Sequence, residues 1–207
     1  MKTVLLLLLI SVMPISNAAA AQPAILVLGD SLSAAYGFDQ RLGWVSLLRQ
    51  QLAAEGYPHL VVNASISGDT TAGGLGRLPQ ALRQHQPSIL ILELGSNDGL
   101  RGVDFSTIES NLRQMVESAR AEGCAVLLLG MRMPPNFGKI FTERFHRIFV
   151  DLAQRMSLPL VPFLLQEVAD KPGWMQADNL HPTADAQAQM LNNVWPYLQP
   201  LLESPSG

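Results

Sequence analysis

The stretch that decides the fold is Ile25-Leu-Val-Leu-Gly-Asp-Ser-Leu-Ser33. The branched, apolar residues from Ala24 to Leu28 predict a fully buried strand of a parallel sheet. Asp30 and Ser31 follow where the chain leaves this strand. Because open α/β sheets bind ligands at the carboxyl ends of their strands, Ser31 is a candidate nucleophile. Asp and Ser also cap helices and turns, so this stretch alone leaves both interpretations open.

Apolar runs and amphipathic stretches alternate along the rest of the chain. The predicted strands are Ala24–Leu28, His59–Asn63, Ser88–Leu94, Ala125–Gly130 and Leu158–Val161. The predicted helices are Gly43–Glu55, Gly74–His85, Ser106–Ala121, Phe141–Met156 and Ala184–Leu201. Buried strands that alternate with helices form a parallel sheet covered on both faces. The sequence therefore predicts an α/β fold, a three-layer α/β/α sandwich with a five-stranded parallel sheet in a flavodoxin-like order.

The N-terminal residues have the pattern of a secretory signal peptide. Met1-Lys2 is followed by the apolar run Val4–Ile10 and by small residues up to Ala21. The apolar run is shorter than the ~20 residues that a membrane-spanning helix needs, although an uncleaved anchor is an alternative. We expect residues 1–21 to be the signal peptide and residues 22–207 to form one domain. The mature protein is then expected to be periplasmic or secreted.

The charge balance and the cysteine count argue against several classes of protein. The chain has 14 Lys+Arg and 17 Asp+Glu, a net charge of −3, and loss of Lys2 with the signal peptide would make it −4. A broad nucleic-acid interface needs a basic face, so we expect no nucleic-acid partner. Cys124 is the only cysteine, so no intrachain disulfide can form. Its apolar neighbours predict a small buried side chain rather than a catalytic thiol.

Polar loops follow the other predicted strands and should meet Ser31 at one edge of the sheet. One loop is centred on Gly68, another is Gly95-Ser-Asn-Asp98, and Asp178-Asn-Leu-His181 lies just before the last helix. A serine hydroxyl needs an adjacent base, which the imidazole of the last stretch could supply while its carboxylate holds the other ring nitrogen. The alternative is that this turn only caps the last helix, with Pro182 at its first position.

Acyl transfer also needs hydrogen-bond donors aimed at the developing oxyanion. The backbone N–H groups of Ser31 and Gly68 and the side-chain amide of Asn97 could supply them, although each loop alone is equally typical of a turn. The remaining histidines, which lie at a strand start, at a helix end and between arginines on a helix, are weaker candidates for the base: His59, His85 and His146.

Taken together, the polar blocks resemble the motifs of the SGNH-hydrolase (GDSL) family. Four blocks stand in the family's order: Gly29-Asp-Ser-Leu-Ser33, the Gly68 loop, Gly95-Ser-Asn-Asp98 and Asp178-x-x-His-Pro182. The longer stretches 62–70 and 93–102 are most similar to bacterial periplasmic members described as thioesterase, lysophospholipase and arylesterase.

The resemblance implies a role for each matching residue. Ser31 is implied as the nucleophile, His181 as the base and Asp178 as its orienting acid, with an oxyanion hole formed by Ser31, Gly68 and Asn97. Ser96 and Asn179-Leu180 stand where close relatives usually carry Gly and Gly-Ile. These departures affect loop geometry and substrate preference rather than the catalytic groups.

The predicted reaction is hydrolysis of carboxylic esters and thioesters, such as arylesters, acyl-thioesters and lysophospholipids, through an acyl-enzyme. It needs no cofactor, and the sequence has no metal-ligand spacing, phosphate loop or dinucleotide fingerprint. The expected partner is a small acyl ester or thioester, with no stable membrane insertion, and the protein is expected to be a monomer. Candidate liners of an acyl-chain groove, equally typical of core, are Leu100, Met131, Met133, Pro134 and Phe137. The alternatives are an O-acetyl esterase for carbohydrates or cell-wall polymers and a non-catalytic periplasmic binding domain.

Overall fold

The computed structural model describes residues 22–203. The predicted signal peptide, residues 1–21, lies outside these residues and stays a prediction. The strands are β1 (Ala24–Gly29), β2 (Leu60–Asn63), β3 (Ile89–Glu93), β4 (Ala125–Leu129) and β5 (Leu160–Val161). They form one parallel sheet in the order β2-β1-β3-β4-β5, which confirms the predicted flavodoxin-like order.

Helices cover both faces of this sheet. They are α1 (Trp44–Ala54), α2 (Thr71–His85), α3 (Ser96–Leu100), α4 (Phe105–Ala121), α5 (Lys139–Met156) and α6 (Gln187–Leu202). Helix α1 packs against α6, while α4 contacts both α2 and α5. Every residue of β1 and β3 is buried, as expected for central strands of a sheet covered on both sides. The three-layer α/β/α sandwich is confirmed. Within residues 22–203 no helix combines the length and the apolar character needed to span a membrane.

The register of the central strands brings the ends of β1 and β3 together at one edge of the sheet. Gly29, the last residue of β1, lies opposite Glu93, the last residue of β3. The residues that follow these two strands therefore leave the sheet side by side. Asp30 and Ser31 continue from one strand, and Gly95 and Ser96 follow the other.

Several element boundaries differ from the prediction. Strand β5 begins at Leu160, two residues late, because the N–H of Leu158 donates to the carbonyl of Ala153 and closes the preceding helix instead. Helix α2 begins at Thr71, three residues before the predicted start, because the Thr70 side chain caps it by accepting from the N–H of Gly73.

The beginning of the last helix was also predicted wrongly. Pro182 does not open that helix but forms an isolated antiparallel bridge with Met175. A short 3₁₀ turn, Ala184–Ala186, follows, and α6 starts only at Gln187. The loop that carries His181 is therefore tied to the residues before it, and it is not the cap of a helix.

Candidate active site

Ser31 lies in a turn immediately after β1. The carboxylate of Asp30 accepts a hydrogen bond from the N–H of Leu32 at 3.0 Å, which closes the turn around the serine. Gly29 permits this turn because a Cβ there would lie 2.6 Å from Oε2 of Glu93 and 2.9 Å from Oγ of Ser33. A larger residue would therefore push the nucleophile loop away from β3.

Two carboxyl groups are buried behind the serine. Oε2 of Glu93 accepts from the N–H of Asp30 at 3.2 Å and from Oγ of Ser33 at 2.7 Å. Burial raises the pKa of Asp30 to about 6, and burial and the neighbouring Asp30 raise the pKa of Glu93 well above its usual value. Two carboxylates buried so close together cannot both stay charged without a large cost, which favours a proton on the pair.

Ser31, His181 and Asp178 form a continuous hydrogen-bonded chain. Nε2 of His181 lies 2.9 Å from Oγ of Ser31, and Nδ1 of the same ring lies 2.7 Å from Oδ2 of Asp178. A carboxylate can only accept, so Nδ1 carries the proton and Nε2 is free to accept the serine proton. The structure thus brings together the three residues predicted for nucleophilic catalysis.

A tight turn presents the imidazole. Oδ1 of Asp178 accepts from the N–H groups of Leu180 and His181 at 2.9 and 3.0 Å. Burial opposes ionisation of Asp178, but hydrogen bonds from the His181 side chain and from these two N–H groups prevail and lower its pKa to about 2. Asn179 has a φ of +55°. Asn tolerates this left-handed conformation better than most residues other than Gly.

Of the three predicted oxyanion donors, Ser31 and Asn97 border the cavity and Gly68 does not. Nδ2 of Asn97, on α3, donates to Oδ2 of Asp30 at 3.1 Å, which leaves its second hydrogen for another acceptor. Within residues 22–203 the N–H groups of Ser31 and Gly68 have no hydrogen-bond acceptor. Gly68 has a φ of +81° and an exposed position outside the cavity lining, and its carbonyl accepts from Arg101 at 2.9 Å.

A cavity of about 540 Å³ opens beside the serine. Its size is typical of a small-molecule site. Four of the predicted liners, Leu100, Met131, Met133 and Pro134, border this cavity, although Met131 and Met133 are also almost completely buried in the core. Phe137 was predicted wrongly, because it lines a separate groove on the other side of the 134–142 segment. Its ring stacks there on the ring of Phe141, with the centroids 5.8 Å apart.

Sequence reasoning missed part of the lining. Phe163 and Leu165 border the cavity and follow β5 directly. Applying the same rule to the end of the fifth strand would have found them. Gln176 was also missed: its Nε2 donates to the carbonyls of Tyr36 and Pro182 at 2.8 and 3.0 Å and so joins the two loops of the site. Its position in the sequence carries no signal of this long-range contact.

Other candidates lie away from the site. Of the histidines in residues 22–203, only His181 borders the cavity. Cys124 is buried, as predicted, and burial raises the pKa of its thiol to about 12, so it is not a thiolate. Residues 22–203 contain no group of three His, Cys, Asp or Glu side chains that could hold a metal ion.

Comparison with known families identifies the scaffold. Residues 27–189 match the model of the GDSL-like Lipase/Acylhydrolase family. The chain belongs to this family. It is therefore a hydrolase of the serine type, on the fold described above.

Known relatives span nearly the whole length of the chain. It is 50% identical over 202 residues to "Esterase TesA" of Pseudomonas aeruginosa, covering 98% of this chain and 100% of that protein. It is 44% identical over 188 residues to "Thioesterase 1/protease 1/lysophospholipase L1" of Escherichia coli K12, covering 91% and 89%. A crystal structure of TesA superimposes with a TM-score of 0.85 at 52% identity, covering 86% of this chain and 99% of that one.

Proposed function

We propose that this protein hydrolyses carboxylic esters and thioesters through an acyl-enzyme on Ser31. The observation that carries the proposal is the hydrogen-bonded chain from Ser31 through His181 to Asp178 beside a cavity with apolar lining. The names of the curated relatives, which include esterase, thioesterase and lysophospholipase, support the same reaction class.

In the proposed first step, Oγ of Ser31 attacks the carbonyl carbon while its proton moves to Nε2 of His181. The charge that develops on the carbonyl oxygen is stabilised by the N–H group of Ser31 and by the free Nδ2 hydrogen of Asn97, two residues that border the cavity. The third predicted donor, the N–H group of Gly68, lies outside that lining and stays a prediction. Asp178 stabilises the imidazolium that forms. His181 then gives the proton to the leaving oxygen or sulfur, and the acyl group stays on Ser31.

In the second step, a water molecule attacks the acyl-serine and gives a proton to His181. The acid is released, and the proton returns to Oγ of Ser31. No step needs a cofactor, since proton transfer and oxyanion stabilisation use only groups of this chain.

The cavity supports an acyl chain longer than acetate. Met133, Leu165 and Phe163 extend its apolar lining beyond the serine. The curated relatives are named for esterase, thioesterase and lysophospholipase activities, so the carbohydrate deacetylase alternative is not favoured. A non-catalytic binding domain would not require a serine, a histidine and an aspartate that are linked by hydrogen bonds.

We further propose that residues 1–21 direct export to the periplasm and that residues 22–207 act as one domain. The proposed protein is a monomer without a nucleic-acid partner. The apolar run near the N-terminus and the net charge of −3 support these proposals.

Replacing Ser31 by Ala tests the catalytic proposal. We expect Ser31→Ala to abolish turnover of a short-chain p-nitrophenyl ester, and an organophosphonate to label the unaltered protein stoichiometrically but not this variant. Ser65→Ala is the matched control, because Oγ of Ser65 is buried close to Gly29 and has no hydrogen-bond partner within residues 22–203. A Ser31→Ala protein that keeps most of the activity would rule out the nucleophile assignment.

A further inference from the structure

An apolar groove beside the active site has no role in the proposed reaction. It has a volume of about 500 Å³ and lies at the same edge of the sheet, after β4. Residues 134–136 and Thr142 line the catalytic cavity, whereas residues 137–141 line this groove. One segment of chain therefore forms a wall of both. We call the groove-lining residues Phe105, Phe137, Lys139, Ile140, Phe141 and Arg144 the docking face.

The apolar part of the docking face is unusually open to solvent. Ile140 is 77% exposed and Phe137 is 38% exposed. Phe141 stacks between Phe137 and Phe105, with ring centroids 5.8 and 5.0 Å away. Contiguous exposed apolar side chains on a protein surface mark interaction sites.

The same region is basic in an otherwise acidic chain. Residues 131–148 contain four cationic side chains and one carboxylate, whereas the whole chain has a net charge of −3. The ammonium of Lys139 lies 3.8 Å from Glu143, at the limit of an ion pair. Within residues 22–203, Arg144 and Arg147 form no ion pair, and the guanidinium of Arg144 lies 5.4 Å above the Phe105 ring.

Exposed apolar side chains beside the cations Lys139 and Arg144 match the chemistry of an anionic lipid surface. Such a surface offers an acyl layer for the apolar groups and phosphates for the cations. A symmetric pair of copies would bring the cations of both docking faces together, so self-association through this face is disfavoured. The face belongs to a loop and to the first turns of α4 and α5, which suits adsorption rather than insertion.

We propose that the docking face adsorbs this protein onto anionic phospholipid surfaces. Adsorption then places the mouth of the catalytic cavity against the lipid, because residues 134–142 border both. The inference that lipid-borne acyl esters reach Ser31 in this way rests on the proposed function. The adsorption itself does not.

Vesicle sedimentation tests the proposal. The mature protein, residues 22–207, carrying Ser31→Ala, which cannot turn over lipid, is mixed with vesicles of phosphatidylcholine or of equimolar phosphatidylcholine and phosphatidylglycerol. We expect binding to the anionic vesicles, weakening at high salt, and little binding to the neutral ones. Adding Lys139→Glu and Ile140→Ser should lower the partition coefficient about tenfold or more, since one cation is reversed and the most exposed apolar contact is removed.

A matched pair at the opposite edge of the sheet is the control. Leu60, 53% exposed at the start of β2, and Arg83, near the end of α2, are changed by Leu60→Ser and Arg83→Glu, which should leave vesicle binding intact. Circular dichroism verifies that both double variants fold. Equal binding to neutral and anionic vesicles, or equal loss in both double variants, would overturn the proposal. A concentration-dependent dimer that only Lys139→Glu/Ile140→Ser abolishes would also overturn it.

Activity measurements separate this proposal from the catalytic one. With Ser31 intact, Lys139→Glu/Ile140→Ser should hydrolyse a soluble p-nitrophenyl ester at the unaltered rate. A protein that hydrolyses this ester but does not bind vesicles refutes adsorption alone. A protein that binds vesicles but has no esterase activity refutes the proposed reaction alone.

Discussion

The serine and the histidine reach the same point from two loops that are held in different ways. The serine loop, residues 30–39, is fastened to the sheet: Glu93 in β3 accepts from Asp30 and Ser33, and Nδ2 of Asn63 in β2 donates to the carbonyl of Ser33 at 2.8 Å. These contacts are buried or half-buried. The nucleophile is therefore positioned by hydrogen bonds to two strands of the sheet.

The histidine loop, residues 174–183, depends mainly on its own turn. Asp178 accepts from the backbone of the same turn, and its side chain is 39% exposed. Apart from the contact with Ser31, Gln176 and the ring of Tyr36, 4.5 Å from that of His181, connect this loop to the serine loop. The difference indicates that the position of His181 depends on few contacts with the serine loop, whereas the position of Ser31 is set by the sheet.

The largest test of this contrast is Asp178→Asn. An amide can donate to Nδ1 and so favours the ring tautomer that presents a proton, rather than a lone pair, to Ser31. We expect kcat to fall by ~10³–10⁴ while KM changes little. Steady-state kinetics on a p-nitrophenyl ester measure both. If kcat fell by less than tenfold, Asp178 would be only a turn residue.

Removing the connection between the loops should have a smaller effect. Gln176→Ala deletes both hydrogen bonds to Tyr36 and Pro182 without touching a reacting atom. We expect kcat to fall by about tenfold, because small misplacement of a catalytic group lowers the rate steeply. KM should stay within experimental error, since Gln176 does not line the cavity.

The matched control for this variant is Gln199→Ala. Gln199 also donates through Nε2, but to Glu203 on the surface of α6. This variant should keep the unaltered kcat. An equal loss in the two variants, or a rise in KM for Gln176→Ala, would contradict a positioning role.

The order of the strands could be predicted because the three central strands have a strong local signal. The apolar runs around Ile25, Leu90 and Leu127 mark buried parallel strands, and parallel topology then collects the polar loops at one edge. That rule was sufficient to select Ser31 and Asn97, whereas the Asp178–His181 pair was selected by its spacing just before the last helix.

What was missed depends on contacts between distant residues. Glu93 ends an apolar strand, and nothing around it in the sequence shows that it accepts from Asp30 and Ser33, about 60 residues earlier. Helix α3 has only five residues, one of them Gly99, and is stabilised by its surroundings rather than by helix propensity. Pro182 suits a helix start locally, but its pairing with Met175 prevails.

The smallest expected effect is on stability. The stability contributed by the serine loop and by the histidine loop should change with pH in opposite directions. The pKa of Asp30 is raised from 3.8 to about 6, so the stability that it contributes is complete below pH 3.8 and is lost as the pH rises through about 6. The pKa of Asp178 is lowered from 3.8 to about 2, so its contribution is present above pH 3.8 and is lost as the pH falls through about 2.

Asp30→Asn and Asp178→Asn remove these titrations one at a time. The Tm cost of Asp30→Asn should shrink from pH 4 to pH 7, whereas the cost of Asp178→Asn should grow from pH 2 to pH 4, each by a few degrees. Thermal unfolding followed by circular dichroism across this range measures both. If the Tm costs of the two variants changed with pH in the same direction, the result would contradict the difference in burial between Asp30 and Asp178. Opposite directions would show that the serine loop is held by a buried proton and the histidine loop by an exposed charge.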